Sequence, residues 1–128
     1  PKRYLTQGDP YHCQCQKTTR LLRERLGWDQ TEIATTFQSK FGPEEWLQPY
    51  TVKEVARMAQ QGQKNIAVCA PAFSSDCIET LEEINEEIKD SFVEAGGESF
   101  TYISCLNDSE KHIDVLTNII GENLHGWI

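Results

Sequence analysis

A row of carboxylates is the feature of this chain whose residue types and spacing could do chemistry. Residues 71–83 read Pro-Ala-Phe-Ser-Ser-Asp-Cys-Ile-Glu-Thr-Leu-Glu-Glu, which predicts a turn after an apolar strand and then an acidic helix. At 3.6 residues per turn, Asp76, Glu79 and Glu83 fall on one face of that helix. A separate apolar stripe is predicted from Ile78, Leu81, Ile88 and Phe92. Because open α/β sheets place their sites at the carboxyl ends of strands, the row predicts a path for a divalent cation or a proton.

The same carboxylates also fit a purely structural role. Acidic side chains in the first turns of a helix interact favourably with the positive end of the helix dipole. Charged stripes on helices that pack against sheets are usually solvated. Ser74 and Ser75 fit an N-cap, although this position could also bind a phosphate. Spacing alone therefore leaves a solvated, well-capped helix open beside a functional one.

Length and charge restrict the class of protein. The chain has 128 residues, 38% of them hydrophobic, which predicts one packed domain. Its formal net charge of -8 and its scattered Lys and Arg residues argue against a nucleic-acid partner and favour cations. No apolar run approaches the ~20 residues that cross a bilayer, and residues 1–4 lack the apolar core of a signal peptide. We expect a cytoplasmic location, with peripheral association with the inner membrane left open.

The cysteine count predicts free thiols. Five cysteines cannot all pair with one another, which fits a reducing cytoplasm. Cys13 and Cys15 are closely spaced, yet no second Cys or His pair completes a four-ligand zinc pattern. Cys69, Cys77 and Cys105 are each expected near the carboxyl end of a strand, so that a shared thiol cluster there stays open.

The order of predicted elements is αβαβαβα. Helices are expected over residues 10–26, 51–61, 75–94 and 109–124, strands over 32–38, 65–70 and 99–104, and loops over 1–9 and 39–50. Asp9 before Pro10 predicts the first helix start, and Thr51 with Glu54 predicts a capping box. The helical crossovers are long enough to join parallel strands, so we predict an α/β fold: a doubly wound, open parallel sheet flanked by helices. Such a unit normally opens with a strand, which we expect upstream of Pro1.

Several motifs in this order resemble the carboxy-terminal half of ferrochelatase of the bacterial type. The matching segments are Lys-Arg-Tyr (2–4) with Gly-Asp-Pro-Tyr (8–11), Phe-Gln-Ser-Lys-Phe-Gly-Pro (37–43) with Trp-Leu (46–47), Phe-Ser-Ser-Asp (73–76) with Ile-Glu-Thr-Leu (78–81), and Tyr-Ile (102–103) with Cys-Leu-Asn (105–107). Pro1 is similar to the last residue of the family's Ser-aromatic-His-Gly-aliphatic-Pro motif. The resemblance thus implies that residues 1–128 are a partial carboxy-terminal chelatase domain, with the family's catalytic histidine three positions upstream.

The resemblance also implies site residues. Glu79 matches the family's catalytic carboxylate, which faces the porphyrin, and Asp76 and Glu83 continue a metal-binding acidic path from it. The porphyrin pocket is implied to include Trp46, Phe73, Ser39 and Gln38. The position of Cys77 is often His in the family, so its role stays open. We expect His12, His112 and His125 to be surface or packing residues.

The implied activity is the insertion of Fe²⁺ into protoporphyrin IX, a lyase step of haem and porphyrin biosynthesis. Removing two pyrrole protons requires an acceptor, and some of the three closely spaced carboxylates are expected to have raised pKa values. The reaction requires no permanent cofactor, because Fe²⁺ is a substrate. The implied partners are the porphyrin, Fe²⁺ and the amino-terminal half of the same enzyme, without which we expect negligible activity.

Two alternatives remain open at this point. One is a chelatase for another tetrapyrrole or metal, such as a coproporphyrin or cobalt. The other is a non-catalytic α/β module that binds metal or haem. The sequence does not determine the oligomeric state, but an unpaired sheet edge would favour a homo-oligomer.

Overall fold

Two adjacent parallel strands determine where the helices lie. The computed structural model describes residues 1–127. In chain order the elements are α1 (Lys2–Thr6), α2 (Tyr11–Leu26), α3 (Thr51–Gln60), β1 (Asn65–Cys69), a π-helix (Glu79–Ile88), α4 (Lys89–Glu94), β2 (Ser99–Ile103) and α5 (Glu110–Asn123). Strand β1 pairs with β2 in a register that runs from Asn65–Ser99 to Cys69–Ile103. Both strands therefore end at one edge of the sheet, and the acidic segment follows β1 there.

The core lies between the sheet and the crossover that joins its strands. Its fully buried side chains come from α3, the π-helix and α4: Val55, Ala59, Ile84, Ile88 and Phe92. Alternate residues of both strands pack against this cluster, namely Ile66, Val68, Phe100 and Tyr102. The predicted strands 65–70 and 99–104 and the predicted helices 51–61 and 109–124 are confirmed to within a residue or two at their ends.

The acidic helix has a different geometry from the one predicted. A turn occupies the first residues of the predicted range 75–94, and Glu79–Ile88 then forms a π-helix. The predicted apolar stripe is wrong in its first half, since Ile78 is 66% and Leu81 50% exposed. Bonding from residue i to i+5 widens each turn beyond 3.6 residues, so that residues four apart stay on one face. The buried face consequently contains Thr80, Ile84, Ile88 and Phe92.

The predicted strand 32–38 is wrong. Only Phe37 forms a β-bridge, with Tyr50, and the neighbouring residues have no ladder partner. The β-branched side chains that suggested a strand instead bond to the flanking helices. The hydroxyls of Thr35 and Thr19 lie 2.6 Å apart, and Thr51 donates to Thr36 over 3.0 Å. The described residues therefore have a two-stranded parallel sheet in a mixed α/β fold, and the three-strand order is not found.

The helix starts also differ from the sequence predictions. The predicted loop 1–9 contains the short helix α1. Helix α2 begins at Tyr11, with Pro10 and not Asp9 at its N-cap position, although the Asp9 carboxylate accepts a hydrogen bond from the Tyr11 N–H. Thr51 and Glu54 do not form a capping box, because Glu54 instead binds Arg57 one turn further along.

The cysteines and the helix lengths were also predicted from the sequence. All five cysteines are free thiols, as predicted. Across residues 1–127 every helix is too short or too polar to cross a membrane.

Candidate functional site

A large cleft lies beside the carboxyl end of β1. Its volume is about 730 Å³, and most of its lining is apolar. Helices α1 and α2 form one side of it, and residues 35–40 and 46–51 form another. The four residues predicted to contact a porphyrin, Gln38, Ser39, Trp46 and Phe73, all line this cleft. The fold thus brings together side chains that are separated by up to 35 positions in the sequence.

The aromatic walls of the cleft are held by the surrounding loop. Trp46 is half-buried, and its indole N–H donates to the carbonyl of Phe41 over 2.9 Å. Phe73 is also half-buried, and its N–H donates to the Ala70 carbonyl in the turn after β1. A polar anchor that fixes an aromatic ring leaves its apolar face available to a flat apolar ligand.

The predicted carboxylate row borders a second, shallow hollow. This hollow of about 210 Å³ is lined by Ile78, Glu79, Glu82, Glu83 and Glu87. Glu79, Glu83 and Glu87 are each four residues apart, which in the π-helix places them on one face. Our sequence reasoning missed Glu82 and Glu87, although the spacing 79, 83, 87 was a usable signal for Glu87.

The loop residues Gln38 and Ser39 join the cleft to the carboxylate row. The Ser39 N–H donates to Glu83 Oε1 over 2.7 Å, and its hydroxyl donates to Glu83 Oε2. The Gln38 side-chain amide donates to the Glu79 carbonyl over 2.7 Å. Gln38 and Ser39 therefore line the cleft and also bond to Glu79 and Glu83, two of the residues that line the acidic hollow.

Ser39 has a backbone conformation that is rare outside glycine. Its φ of 58° lies in the left-handed region, which an L-residue normally avoids. This conformation lets its N–H and its hydroxyl reach the same carboxylate. Strained residues that persist because their surroundings hold them are common at functional sites.

Asp76 lies outside the hollow that the glutamates line. It is half-buried at the carboxyl edge of the sheet, where its carboxylate accepts hydrogen bonds from the Tyr102 hydroxyl (2.6 Å), the Asn107 amide (2.8 Å), the Thr80 hydroxyl (3.1 Å) and the Cys105 N–H (3.2 Å). The amide of Asn107, followed by the hydroxyl of Tyr102, holds the pKa of Asp76 well below its usual range. Burial, helped by the bond to Asp76, raises the pKa of Tyr102.

The expectation of raised carboxylate pKa values is wrong for two of the three predicted acids. The pKa of Glu79 is lowered, first by a hydrogen bond from the Cys77 thiol and then by a backbone N–H. The pKa of Asp76 is lowered as well. At both carboxylates the hydrogen bonds that favour the charged form outweigh burial, which acts in the opposite direction.

The three predicted metal ligands do not form a ready-made cage. Within residues 1–127, no three side chains of His, Cys, Asp or Glu lie close enough together to hold one metal ion. Contact of Asp76, Glu79 and Glu83 with iron therefore stays a prediction.

The histidines have packing roles or are exposed. His12 stacks on Phe37 with ring centroids 5.7 Å apart, at the side of the cleft. His112 is buried, with its Nδ1 2.6 Å from the Asn107 carbonyl. His125 is exposed near the end of the described residues.

Fold and site together define an α/β domain in which an aromatic cleft adjoins a carboxylate row. The family model described as Ferrochelatase matches residues 1–124. Proteins named ferrochelatase are similar over the whole chain, at 67% identity in Rhodobacter capsulatus and 57% in Rhizobium meliloti. A further ferrochelatase, from Marinobacter nauticus, is 55% identical over 99% of the chain. The chain belongs to the ferrochelatase family.

The chain is much shorter than these relatives. It spans 36% of the length of the Rhodobacter capsulatus protein, 38% of that from Rhizobium meliloti and 34% of that from Marinobacter nauticus. Most of each relative therefore lies outside the region that this chain matches.

Proposed function

We propose that the full-length protein that carries this sequence inserts Fe²⁺ into protoporphyrin IX. The observation that carries the proposal is that Gln38 and Ser39, which line the aromatic cleft, bond directly to Glu79 and Glu83 of the carboxylate row. A chelatase must bind a flat apolar macrocycle and must deliver a cation, or remove protons, at one face of it. Adjacent apolar and acidic hollows supply surfaces for both tasks.

The cleft residues would hold the porphyrin. Trp46 and Phe73 offer aromatic faces against which the macrocycle can stack. The indole of Trp46 is held by its bond to the Phe41 carbonyl, and the backbone of Phe73 by its bond to the Ala70 carbonyl. Gln38 and Ser39 would border the ring on the side of the π-helix. The remaining walls are supplied, in this proposal, by the amino-terminal half of the same protein, because the relatives are nearly three times as long as this chain.

Glu79 would act at the reacting centre. A carboxylate can contact a hydrated cation and release it again, since oxygen ligands bind borderline metals less tightly than thiolates do. Each insertion also liberates two pyrrole protons, and ionised carboxylates can accept them. The lowered pKa of Glu79 means that this group is ionised at neutral pH and ready to attract the cation. Glu83, which lines the same hollow, would continue the acidic path.

We also propose that the two strands belong to a larger, doubly wound parallel sheet in the full-length protein. The edges of the two-stranded sheet would pair with strands from the rest of the protein, including one upstream of Pro1. The five free thiols support a cytoplasmic location. Fe²⁺ is a substrate here, and we propose no permanent cofactor.

The test is metal insertion by the full-length protein with Glu79→Gln. We expect the rate of Fe²⁺ insertion to fall about 10²-fold or more, because a positioned proton acceptor contributes on that order. The matched control is Glu94→Gln, which removes an exposed carboxylate at the end of α4, outside both hollows. The free energy of unfolding of both variants should equal that of the wild type.

Other outcomes would separate the alternatives. Turnover by Glu79→Gln at the wild-type rate would contradict the role of Glu79. A wild-type protein that binds porphyrin or Fe²⁺ without insertion would indicate a non-catalytic binding module. Faster insertion of Co²⁺, or faster reaction with a coproporphyrin, would indicate a chelatase of different specificity.

A further inference from the structure

Within residues 1–127, two non-glycine residues have a positive φ, and both bond to the acidic segment. Ser39, at φ 58°, bonds to Glu83 in the middle of the π-helix. Asn107, at φ 48°, bonds to Asp76 in the turn before that helix. This left-handed conformation is strained for serine and is readily adopted by asparagine. The second of these contacts is not explained by substrate binding, because it lies at the end of β2, outside both hollows.

Asn107 and Asp76 bind each other reciprocally. The Asn107 side-chain amide donates to Asp76 Oδ2 over 2.8 Å, and its carbonyl oxygen accepts the Asp76 backbone N–H over 2.8 Å. Asn107 also donates its own N–H to the Ser74 carbonyl over 3.0 Å. The backbone carbonyl of Asn107 contacts the buried His112 ring. One side chain and its backbone thus secure the whole turn between β1 and the π-helix.

The carboxylate of Asp76 has little capacity left for a metal. Three donors point to Oδ1, namely the Tyr102 hydroxyl, the Thr80 hydroxyl and the Cys105 N–H, and the Asn107 amide occupies Oδ2. The two oxygens have about four lone-pair sites in all. Oδ1 therefore has no site left for a cation, and Oδ2, with one donor, has a single site left. A cation held by both oxygens would have to displace donors, which would then lose their partner at a half-buried position.

The contact continues into the first turn of the π-helix. The Thr80 side chain is fully buried, and its hydroxyl lies between Asp76 Oδ1 and the backbone N–H of Cys77. Glu79 is the adjacent residue, and the Cys77 thiol bonds to its carboxylate. The position of Asp76 therefore determines where the Glu79 side chain begins.

We infer that Asp76 and Asn107 are positioning residues, whose reciprocal hydrogen bonds fix the turn before the π-helix and thereby set the place of Glu79. This inference rests on the proposed role of Glu79 in metal insertion. Asp76 affects metal insertion only by fixing the position of the π-helix, and the metal contacts Glu79 and Glu83 on that helix.

Exchanging the two residue types gives a sharp test in the full-length protein. Asp76→Asn keeps Oδ1 for its three donors but places an amide opposite the Asn107 amide, so that two donors face each other. The double variant Asp76→Asn with Asn107→Asp again pairs one donor with one acceptor. In it the amide at position 76 donates to the carboxylate at position 107, the reverse of the wild-type bond. We expect Asp76→Asn to lower kcat for Fe²⁺ insertion at least about tenfold, since an unsatisfied polar group has an effect of that order. KM for Fe²⁺ should stay within about twofold, and the double variant should recover most of the lost kcat.

A metal-binding role for Asp76 gives a different pattern. KM for Fe²⁺ would then rise in Asp76→Asn, and the double variant would not restore it; this result would overturn the inference. Wild-type kcat in Asp76→Asn would overturn it as well. If the single variant does not fold, recovery of folded, active protein in the double variant supports the inference, and its failure to recover contradicts it.

Amide hydrogen exchange separates this inference from the proposed function. We expect Asp76→Asn to speed exchange at the amides of residues 77–83 about tenfold, and the double variant to reverse this. A wild-type protein without metal insertion would contradict the proposed function alone. Unchanged exchange in Asp76→Asn would contradict the positioning role whatever the activity.

Discussion

The two faces of the π-helix have the same period but opposite environments. Thr80, Ile84 and Ile88 are buried at intervals of four residues, and Phe92 of α4 continues them into the core. Glu79, Glu83 and Glu87 have the same spacing on the side that borders the open hollow. The first face is held by contacts with α3 and the sheet, whereas the second has few partners besides Gln38 and Ser39. Burial of the apolar face thus holds the π-helix in place although its other face carries three neighbouring carboxylates.

The largest effect on stability is expected on the buried face. Phe92 is fully buried and packs at a ring-centroid distance of 6.1 Å from Phe100. We expect Phe92→Ala to lower the free energy of unfolding by about 3–5 kcal/mol, as for other buried aromatic residues. Glu87→Gln should change it little, because that side chain is exposed. The measurement is urea denaturation of the full-length variants. If Phe92→Ala and Glu87→Gln lost equal unfolding free energy, the two faces would not differ as described.

A smaller effect is expected where β2 approaches the same buried ring. A Cβ added to Gly97 would lie 2.2 Å from a Phe92 ring carbon, which is far inside van der Waals contact. We expect Gly97→Ala to destabilise the protein by about 1–3 kcal/mol through overpacking.

Gly121→Ala is the matched control for Gly97→Ala. Gly121 lies in α5 with no atom near the new Cβ, so alanine there should be neutral or stabilising by up to about 1 kcal/mol. A neutral Gly97→Ala in thermal unfolding would show that Phe92 can move aside.

Acid should remove the contribution of the Asp76 carboxylate to stability. Its pKa is lower in the folded protein than in the unfolded chain, whose value is about 3.9. The carboxylate therefore contributes stability that is fully present above that value and is lost as the pH falls toward the folded pKa. The difference in unfolding free energy between wild type and Asp76→Asn should shrink as the pH falls below about 4. A difference that is constant between pH 7 and pH 2 would contradict this prediction.

The smallest effect is expected at Ser39, where strain and bonding oppose each other. Ser39→Ala and Ser39→Gly both remove the hydroxyl that donates to Glu83, and both keep the backbone N–H bond. Glycine relieves the left-handed strain, so we expect Ser39→Gly to be more stable than Ser39→Ala by about 1 kcal/mol. Both should slow metal insertion similarly. A large difference in kcat between them would assign the role of Ser39 to the backbone and not to its hydroxyl.

Local patterns were sufficient for several elements and for the family. The apolar run 65–70, the alternating run 99–104 and the helix 109–124 were predicted almost to their ends, because short-range periodicity reflects burial in the folded chain. The spaced motifs around Gln38, Trp46, Phe73 and Glu79 identified the family that the model over residues 1–124 confirms. The same reasoning failed for 32–38, where β-branched residues bond to helices and not to a strand.

The sequence by itself determined which residues carry charge, which can be buried, and which family the chain belongs to. Only the tertiary structure decided how the carboxylates are used. Three of the four donors to Asp76 come from residues 26 to 31 positions away, and Glu83 contacts Ser39 across 44 positions. The π-helical geometry, which aligns residues four apart, likewise depends on packing against α3 and the sheet. Sequence periodicity reports burial along one element, whereas hydrogen bonds between distant segments exist only once the chain has folded.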